Sequence, residues 1–371
     1  MKNRNVIQFM NYSAPYKGNF IQSIVRLEQR LNREGIQLIY LFLKETEGLD
    51  WAKELIKEGK KVHFLSGSKY RDFLQIKTLI RKYEAGIVHT HFIGVASIFF
   101  LRVINLFRAE KCLVVRHLHN PYELNRPVVE YMKKTLAHVD VSIGCSKAVA
   151  DDYDLKKKDK KEKVEFATNA IEFSRLNDYE ILDRKTLEIE EKSFVLLVYG
   201  FDYFRKGIDI LINAVSQLVN DNVNICLIIS FANNRNFGEN EIKKQFGKIP
   251  SWIKPVKPRN DIATYYRFSD AFISSSRSEG FCYSLVEAAY CGTQTIASSI
   301  FAQKDLNIPY TFQYSVEDIP DLKKQIVAAI AVDKDERRRR AMIQKDYVIR
   351  TFELDKWADT IADIYKKEKG F

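Results

Sequence analysis

The sequence has neither a long hydrophobic run nor a signal-peptide core. No stretch approaches the roughly 20 apolar residues that a membrane-spanning helix needs. The apolar run nearest the N-terminus, Val6 to Met10, is followed at once by polar residues, unlike the core of a secretory signal. We therefore expect a cytoplasmic protein.

Cysteine is scarce and scattered. The five cysteines are odd in number and lack the spacing of a metal site, so we expect them to be reduced, small residues of the core. They are Cys112, Cys145, Cys226, Cys282 and Cys291. No long tract rich in proline, glycine or serine predicts a disordered arm.

A dinucleotide fingerprint is absent as well. After the first predicted strand, Asn5 to Met10, the chain runs through Asn11 to Gly18 without a Gly-x-Gly-x-x-Gly pattern. This absence argues against a classical nicotinamide or flavin site.

Length and patterning favour two α/β domains. The chain has 371 residues, and 46% of them are hydrophobic. This length exceeds the size at which a single hydrophobic core usually keeps growing. Short β-rich apolar runs alternate with helical patterns, as in parallel sheets. We predict an N-terminal domain over residues 1–172, a C-terminal domain over 193–345 and a final helix over 346–371, with two doubly wound, Rossmann-like halves facing a central cleft.

The predicted strands and helices alternate through both halves. The first half continues with a helix near Asn19 to Glu34, strands Gln37 to Leu43 and Gly86 to His89, helix Gly94 to Phe107, strand Cys112 to Arg116, a helix near Val128 to Leu136, and strands Val139 to Cys145 and Val164 to Ala167. The second half is predicted as strand Phe194 to Val198, helix Ile208 to Leu218, strands Asn224 to Ser230 and Ala271 to Ser275, helix Ser284 to Cys291 and strand Gln294 to Ala297.

Positive charge is concentrated at the start of the chain. The formal net charge is +11, and residues 1–111 hold 19 Lys and Arg against 10 Asp and Glu, an excess of nine. A basic face suits nucleic acid, anionic lipid or a phosphorylated substrate, or is an ordinary solvated surface. No nucleic-acid-binding module is recognisable, so we expect no nucleic-acid partner.

The most informative segment surrounds two glutamates that are eight residues apart. Glu279 lies in a loop after a predicted strand, and Glu287 lies about one turn inside the helix that follows. A helix start suits a diphosphate because of its dipole and its N–H groups, and Gly280 lets the backbone approach it closely. Carboxylates suit sugar and ribose hydroxyls, since they only accept hydrogen bonds.

A second segment places two cations in a strand-to-helix loop. Arg205 and Lys206 follow Gly200 and precede a predicted helix. Adjacent cations at such a loop can neutralise a departing diphosphate. Without the glutamate pair, the same residues would indicate only a solvated basic turn.

These motifs resemble those of the retaining family-4 glycosyltransferases, which build bacterial capsule, exopolysaccharide and lipopolysaccharide. The Glu279–Glu287 spacing resembles the Glu-x7-Glu signature, and residues 200–207 resemble the Gly-x-x-x-x-Arg-Lys-Gly loop. The resemblance implies the GT-B fold, with the last helix crossing back to the N-terminal domain. Phe201 and Cys282 depart from residues common in the family, and Cys282 leaves the donor sugar open.

The resemblance also assigns roles to further residues. It implies that Arg259 stacks on the nucleobase, that His119 faces the donor sugar with His117 as competitor, and that Gly18 lies near the diphosphate. We expect His117 and His119 to point to opposite sides of their strand. The expected donor-binding residues are Gly18, Gly200, Arg205, Lys206, Arg259, Glu279, Gly280, Phe281, Cys282, Tyr283, Ser284, Leu285 and Glu287, and the expected catalytic residues are His119, Arg205, Lys206 and Glu279.

The acceptor side is less defined. His89, His91 and His117 are candidates for lining it. A zinc site would need a third ligand beside His89 and His91, and none is evident from the spacing. We therefore expect no metal and no cofactor. Trp357 and Tyr365 in the final helix are expected to be packing anchors.

The resulting expectation is a retaining, metal-independent hexosyltransferase. Its donor would be a nucleotide sugar, UDP-hexose by preference, and its acceptor a saccharide carried on polyprenyl diphosphate at the inner face of the plasma membrane. The basic first third, including Arg26, Arg30 and Arg33, would rest on anionic lipid. The alternatives are a nonhydrolysing sugar-nucleotide 2-epimerase and a non-catalytic nucleotide-sugar-binding partner.

Overall fold

The chain folds into two compact domains. A computed structural model describes residues 4–121, 139–157, 160–231 and 235–369. The first domain comprises Met1–Ala170 together with Leu354–Phe371, and the second comprises Ile171–Glu353. The helix predicted near Val128 to Leu136 lies outside the described residues.

The first domain contains a parallel sheet with strand order β3-β2-β1-β4-β5-β6-β7 in its described part. Its strands are β1 Asn5–Met10, β2 Leu38–Phe42, β3 Val62–Phe64, β4 Ala85–His91, β5 Leu113–Leu118, β6 Val141–Gly144 and β7 Lys163–Phe166. Its helices are α1 Gly18–Asn32, α2 Asp50–Lys57, α3 Lys69–Lys82, α4 Val95–Leu106 and α5 Lys147–Lys156.

Alternating side chains of the central strands pack in two separate hydrophobic cores, one on each face of the sheet. Val6 and Met10 of β1 pack in one core, whereas Ile7 and Phe9 pack in the other. Successive side chains of a strand point to opposite faces, so both faces of the sheet are covered. This is why β1 is apolar almost throughout rather than alternating.

The second domain repeats the plan with strand order β10-β9-β8-β11-β12-β13 in its described part. Its strands are β8 Phe194–Tyr199, β9 Ile225–Ser230, β10 Ile253–Val256, β11 Ala271–Ser274, β12 Gln294–Ser298 and β13 Phe312–Tyr314. Its helices are α6 Ile208–Asn220, α7 Arg235–Phe246, α8 Ala263–Phe268, α9 Tyr283–Cys291, α10 Phe301–Lys304, α11 Ile319–Ile330 and α12 Lys334–Thr351.

The final helix, α13 Leu354–Lys369, belongs to the first domain. It packs against α1, and its Trp357 and Tyr365 are buried in the core, as packing anchors would be. The chain returns to the first domain at Leu354 rather than at the predicted residue 346, because the separate helix α12 runs to Thr351 within the second domain. The division after Ala170 places the polar segment 173–192 in the second domain.

The predicted α/β class with two Rossmann-like sheets is confirmed. Most predicted strands agree within two residues. Among the elements that the prediction omitted are strands β3, β10 and β13 and helices α2, α3, α5, α7 and α11. No helix among the described residues is both long enough and apolar enough to cross a bilayer.

Candidate functional site

The second domain places two motif loops at one edge of its sheet. Strands β8 and β11 are neighbours, and the strand order reverses between them. Ligands of open parallel sheets bind at such a switch point, beyond the carboxyl ends of the strands. The segment Gly200–Gly207 follows β8, and Ser275–Cys282 follows β11, so the fold brings the two motifs together.

Gly207 is the point where these loops touch. Its φ is +63°, and a Cβ there would lie 2.0 Å from the carbonyl oxygen of Ser275. The Ser275 hydroxyl donates to the carbonyl oxygen of Lys206 at 2.7 Å. The backbone N–H of Arg277 donates to the carbonyl oxygen of Arg205 at 2.8 Å. Only glycine permits this approach, which fixes the cations against the following loop.

Lys206 and Glu279 form a buried ion pair. Lys206 Nζ lies 2.5 Å from Glu279 Oε1, and the Ser276 hydroxyl donates to the same oxygen at 2.7 Å. Arg205 Nη1 lies 3.4 Å from Glu279 Oε2 and also donates to the Ser278 carbonyl oxygen at 3.1 Å. Two cations therefore converge on one carboxylate.

An aromatic ring covers the same cations. The ring centroid of Phe201 lies 4.6 Å from Lys206 Nζ and 5.2 Å from the guanidinium carbon of Arg205. Both distances fall within the range of cation–π attraction. Phe201 departs from the residue common at this position in the family, and it contacts both cations through its ring.

Helix α9 begins directly after this carboxylate. No acidic residue lies in its first turn, and Cys282 at its N-cap makes no side-chain capping bond. The end of a helix dipole without an acidic cap favours an anion. Gly280, Phe281 and Cys282 precede the helix start, whereas Tyr283, Ser284 and Leu285 form its first turn, with Phe281, Cys282 and Leu285 buried.

Glu287 lies inside α9 and is almost fully buried. Its Oε2 accepts a hydrogen bond of 3.0 Å from the Tyr266 hydroxyl, and its Oε1 pairs with Arg175. Burial raises the pKa of Tyr266 well above its usual value, so this hydroxyl remains a donor. Sequence reasoning missed Arg175, which is remote from Glu287 in the chain and lies between the two predicted domains.

Arg259 is held by carboxylates. It forms a double hydrogen bond to Asp261, with both distances 2.8 Å, and a third to Glu180 at 2.6 Å. The bond from Arg259 lowers the pKa of Asp261 to about 2. The guanidinium is therefore positioned, and its stacking on a nucleobase stays a prediction.

A buried polar cluster supports the loop after β11. Gln303 Nε2 donates to the Ser274 hydroxyl at 2.6 Å, and the Ser298 hydroxyl donates to the Ser276 carbonyl oxygen at 2.6 Å. Cys282 Sγ lies 3.3 Å from the Ser274 hydroxyl oxygen, and burial raises the pKa of this thiol. Cys282 therefore packs as a neutral side chain, and sequence spacing gave no signal for Gln303.

Two glycines predicted near the donor have structural reasons to be glycine. Gly18 begins α1 with a φ of +58°, and a Cβ there would lie 3.0 Å from the Tyr12 hydroxyl oxygen. At Gly200, a Cβ would lie 2.9 Å from the Phe231 ring. Their proposed contact with a ligand stays a prediction.

The first domain gathers four histidines at the ends of β4 and β5. His91 and His117 are register partners, and His89 and His119 lie two residues from them on the same face. The expectation that His117 and His119 point to opposite sides is wrong, because residues i and i+2 of a strand share a face. Their ring centroids are 4.7 Å apart.

The histidine side chains contact one another and a polar frame. His91 Nδ1 lies 3.1 Å from His119 Nε2, and His89 Nε2 lies 3.3 Å from His117 Nδ1. Gln8 Oε1 lies 2.8 Å from His91 Nε2, and the Tyr365 hydroxyl lies 2.6 Å from His89 Nδ1. The hydroxyl of the predicted anchor Tyr365 thus has a polar contact as well.

Burial controls the charge of these rings. It lowers the pKa of His117 to about 3 and that of His89, His91 and His119 well below the usual value. His89 and His91 are fully buried, and their place on the acceptor side stays a prediction. The spacing argument missed a third potential ligand, because β5 brings His117 beside His89 and His91.

Comparisons with known proteins agree with this architecture. Residues 19–175 match the family described as Glycosyltransferase Family 4, and residues 180–347 match Glycosyl transferases group 1. The two matches fall on the two domains. This chain carries the two domains of a GT-B glycosyltransferase.

Solved structures share the fold of this chain over nearly its whole length. A glycosyltransferase from Rickettsia africae has a TM-score of 0.78 at 18% identity, covering 99% of each chain. Anabaena Alr3699/HepE, solved in complex with UDP, has a TM-score of 0.78 at 14% identity, covering 98% of this chain and all of the other. These identities establish the fold alone.

Sequence relatives match shorter stretches of this chain. Protein CapJ of Staphylococcus aureus is 24% identical over 214 residues, which are 52% of this chain and 55% of CapJ. A D-inositol 3-phosphate glycosyltransferase of Catenulispora acidiphila is 28% identical over 127 residues, or 32% of this chain and 30% of that protein. The chain thus spans about half or less of the length of these relatives.

Proposed function

We propose that this protein transfers a hexosyl unit from a UDP-linked sugar to a saccharide, with the anomeric configuration retained. The observation that carries the proposal is the convergence of Arg205 and Lys206 on Glu279 directly before the start of α9. A nucleotide sugar needs a cationic site for its diphosphate and acceptors for its hydroxyls, and this edge of the sheet offers both.

The diphosphate would bind between the cations and the start of α9. Arg205 and Lys206 are held in advance by Glu279, Phe201 and the Gly207 contact, so they need little rearrangement when charge develops on the leaving group. Such a site neutralises the departing UDP without a metal. Glu279 and Glu287 would accept hydrogen bonds from the sugar and the ribose.

The identity of the donor has support from a structural neighbour. Anabaena HepE was solved in complexes with UDP and with UDP-glucose. Arg259, fixed by Asp261 and Glu180, would supply the flat cation for the base.

The proposed retention rests on the Glu279–Glu287 resemblance, and the state of Glu279 favours a route without a covalent intermediate. Its carboxylate is bonded to Lys206, Arg205 and Ser276, which makes it a poor nucleophile. Attack by the acceptor hydroxyl on the face that the diphosphate leaves needs no enzyme nucleophile, because a leaving phosphate oxygen takes the proton. The anomeric carbon then loses its bond to the phosphate and gains one to the acceptor oxygen on the same face.

The acceptor would be a saccharide carried on polyprenyl diphosphate, as in capsule or exopolysaccharide synthesis. A docking surface on α3 and α4 supports a membrane location at the cytoplasmic face. Phe107 is 80% exposed and borders a surface groove of about 470 Å³ that Lys77, Arg81 and Arg108 also line. An exposed aromatic side chain among cations suits an anionic interface.

The α1 arginines fit this docking less well than expected. Arg26 and Arg30 form ion pairs with Asp355 and Asp359 of α13. These charges are therefore partly neutralised within the first domain. We therefore assign the proposed membrane contact to the surface of α3 and α4.

A thermal-shift screen of nucleotide sugars tests the donor assignment. A donor that binds the folded protein raises its apparent stability. We expect UDP-hexoses to raise the unfolding temperature more than the free hexoses do. A 2-epimerase would instead convert UDP-N-acetylglucosamine without any acceptor, and a silent partner would bind a donor without consuming it in a membrane extract. Absence of any shift with every nucleotide sugar would contradict the proposal.

A further inference from the structure

The histidine cluster of the first domain has the geometry of a metal-binding site. His89, His91 and His117 each offer a ring nitrogen, and these three atoms lie within 4.8 Å of one another. Two imidazole nitrogens bound to one tetrahedral zinc ion lie about 3.4 Å apart, given bonds of about 2.0–2.1 Å. The three side chains would need to close by at most roughly 1.4 Å, which small side-chain rotations supply.

Individual nitrogen pairs are already near this separation. His89 Nε2 and His117 Nδ1 are 3.3 Å apart, and His91 Nδ1 and His119 Nε2 are 3.1 Å apart. Strand pairing sets these positions, since His91 and His117 are register partners on adjacent strands. Ligands on paired strands have little conformational freedom to lose when an ion binds.

The outer contacts are those that metal-binding histidines usually have. Gln8 Nε2 donates to the Tyr365 hydroxyl at 2.9 Å, so Gln8 Oε1 is the group that faces His91 Nε2 at 2.8 Å. An amide oxygen only accepts, so His91 carries its proton on Nε2 and leaves the Nδ1 lone pair for a ligand bond. Metal-binding histidines generally donate their second N–H to such an acceptor.

A second, independent observation comes from His117. Its Nε2 is buried and has no hydrogen-bond partner among the described residues, although the ring is only 4% exposed. Buried polar atoms are normally paired. Nδ1 of the same ring lies 3.3 Å from His89 Nε2, so either nitrogen of His117 is available as the ligand atom.

We propose that His89, His91 and His117 bind one divalent transition-metal ion of the zinc class, with His119 in reach of a fourth position. Imidazole ligands suit zinc, copper, iron and nickel rather than magnesium or calcium. The ion would join the carboxyl ends of β4 and β5, and through His89 and Tyr365 it would fix α13 to the sheet. Its role is to stabilise the first domain, whereas the proposed diphosphate site belongs to the second.

Cobalt binding to the full-length protein tests the site directly. Protein without an affinity tag is freed of metal with a chelator and titrated with Co²⁺, while visible absorption is recorded. We expect intense bands of a tetrahedral ion that saturate at one ion per chain. Zinc should displace the cobalt and raise the unfolding temperature, because it binds the folded state.

Matched variants show whether the ion lies in the cluster. We expect His117→Gln to weaken binding by on the order of 10²-fold, and Gln8→Ala, which removes an outer partner, to weaken it by about 10- to 100-fold. His63→Gln is the control, since His63 pairs with Tyr83 outside the cluster, and it should bind as the wild type does.

Two results would overturn the site. One is a wild-type cobalt spectrum without tetrahedral bands, which does not depend on any variant folding. The other is equal affinity in wild type, His117→Gln and His63→Gln, which would indicate adventitious binding at the surface.

Discussion

Lys206 Nζ lies 2.5 Å from Glu279 Oε1, and about nine-tenths of each side chain is buried. Replacing a buried ion pair by apolar residues is often neutral or stabilising, so this pair needs a reason other than stability. It lies beside a helix start and beneath the exposed ring of Phe201. The reason that we infer is functional, because the pair holds the Lys206 ammonium in position for an anionic ligand.

The first prediction concerns Lys206 itself. Lys206→Met keeps the length of the side chain and removes the charge that would face the departing diphosphate. We expect turnover of the donor to fall by on the order of 10²-fold or more, measured as UDP release. Lys323→Met is the matched control, because Lys323 pairs with Asp221 on another face of the domain. Equal loss in both variants, or none in Lys206→Met, would refute the role.

How far the sequence predicts the site depends on chain distance. Arg205, Lys206, Glu279 and Glu287 were found because each sits in a local strand-loop-helix pattern. Arg175 was not, since its contact with Glu287 depends on how a remote segment packs against α9. Local patterns encode the loops, whereas partners from distant segments are set only by the packed domain.

The histidines show the same limit in another form. His89 and His91 were recognised as a pair because their segment resembles a Val-His-x-His segment of the family. Their neighbour His117 depends on the pairing of β4 with β5, which the sequence left open. Once that pairing is known, all four rings are expected on one face of the sheet, because side chains two residues apart in a strand share a face.

The second prediction concerns the contact at Gly207. Gly207→Ala would place a Cβ 2.0 Å from the Ser275 carbonyl oxygen, so the loops after β8 and β11 must separate. We expect a clear fall in unfolding temperature and weaker donor binding. Gly247→Ala is the control, because Gly247 also has a positive φ but nothing within 4 Å of its Cβ position. Its cost should be only the backbone strain, about 1–2 kcal/mol, and equal losses in the two variants would exclude a special role for the contact.

The third prediction concerns acid stability of the first domain. Burial lowers the pKa of His117 to about 3 and that of His89 and His91 well below the usual value, whereas these rings in the unfolded chain titrate near about 6.5. The unfolded chain therefore binds more protons below that pH. Stability should therefore fall as the pH drops below about 6.5.

Thermal unfolding with a chelator present measures this dependence. We expect the unfolding temperature to decrease between neutral pH and about pH 5, and to decrease less steeply in His117→Gln. An equal slope in the two proteins would show that the loss of stability arises elsewhere.

The fourth prediction concerns the surface of α3 and α4. We expect sedimentation with vesicles that contain phosphatidylglycerol, and release as salt screens the charges. Reversing Lys77 and Arg81 to Glu should weaken binding by at least about 1 kcal/mol for each residue. Lys323→Glu, on the second domain, is the control. If the wild type does not sediment with anionic vesicles at low salt, a soluble acceptor becomes the better proposal.

Transfer of a sugar from a nucleotide donor is tested most directly by following both products of one reaction. The wild-type protein is incubated with a UDP-hexose, with and without a membrane extract that supplies acceptors, and the released UDP and the glycan product are analysed. The account predicts acceptor-dependent UDP release, together with a product that carries one additional hexose with the anomeric configuration of the donor. A product of inverted configuration, or donor conversion that proceeds equally without any acceptor, would contradict it.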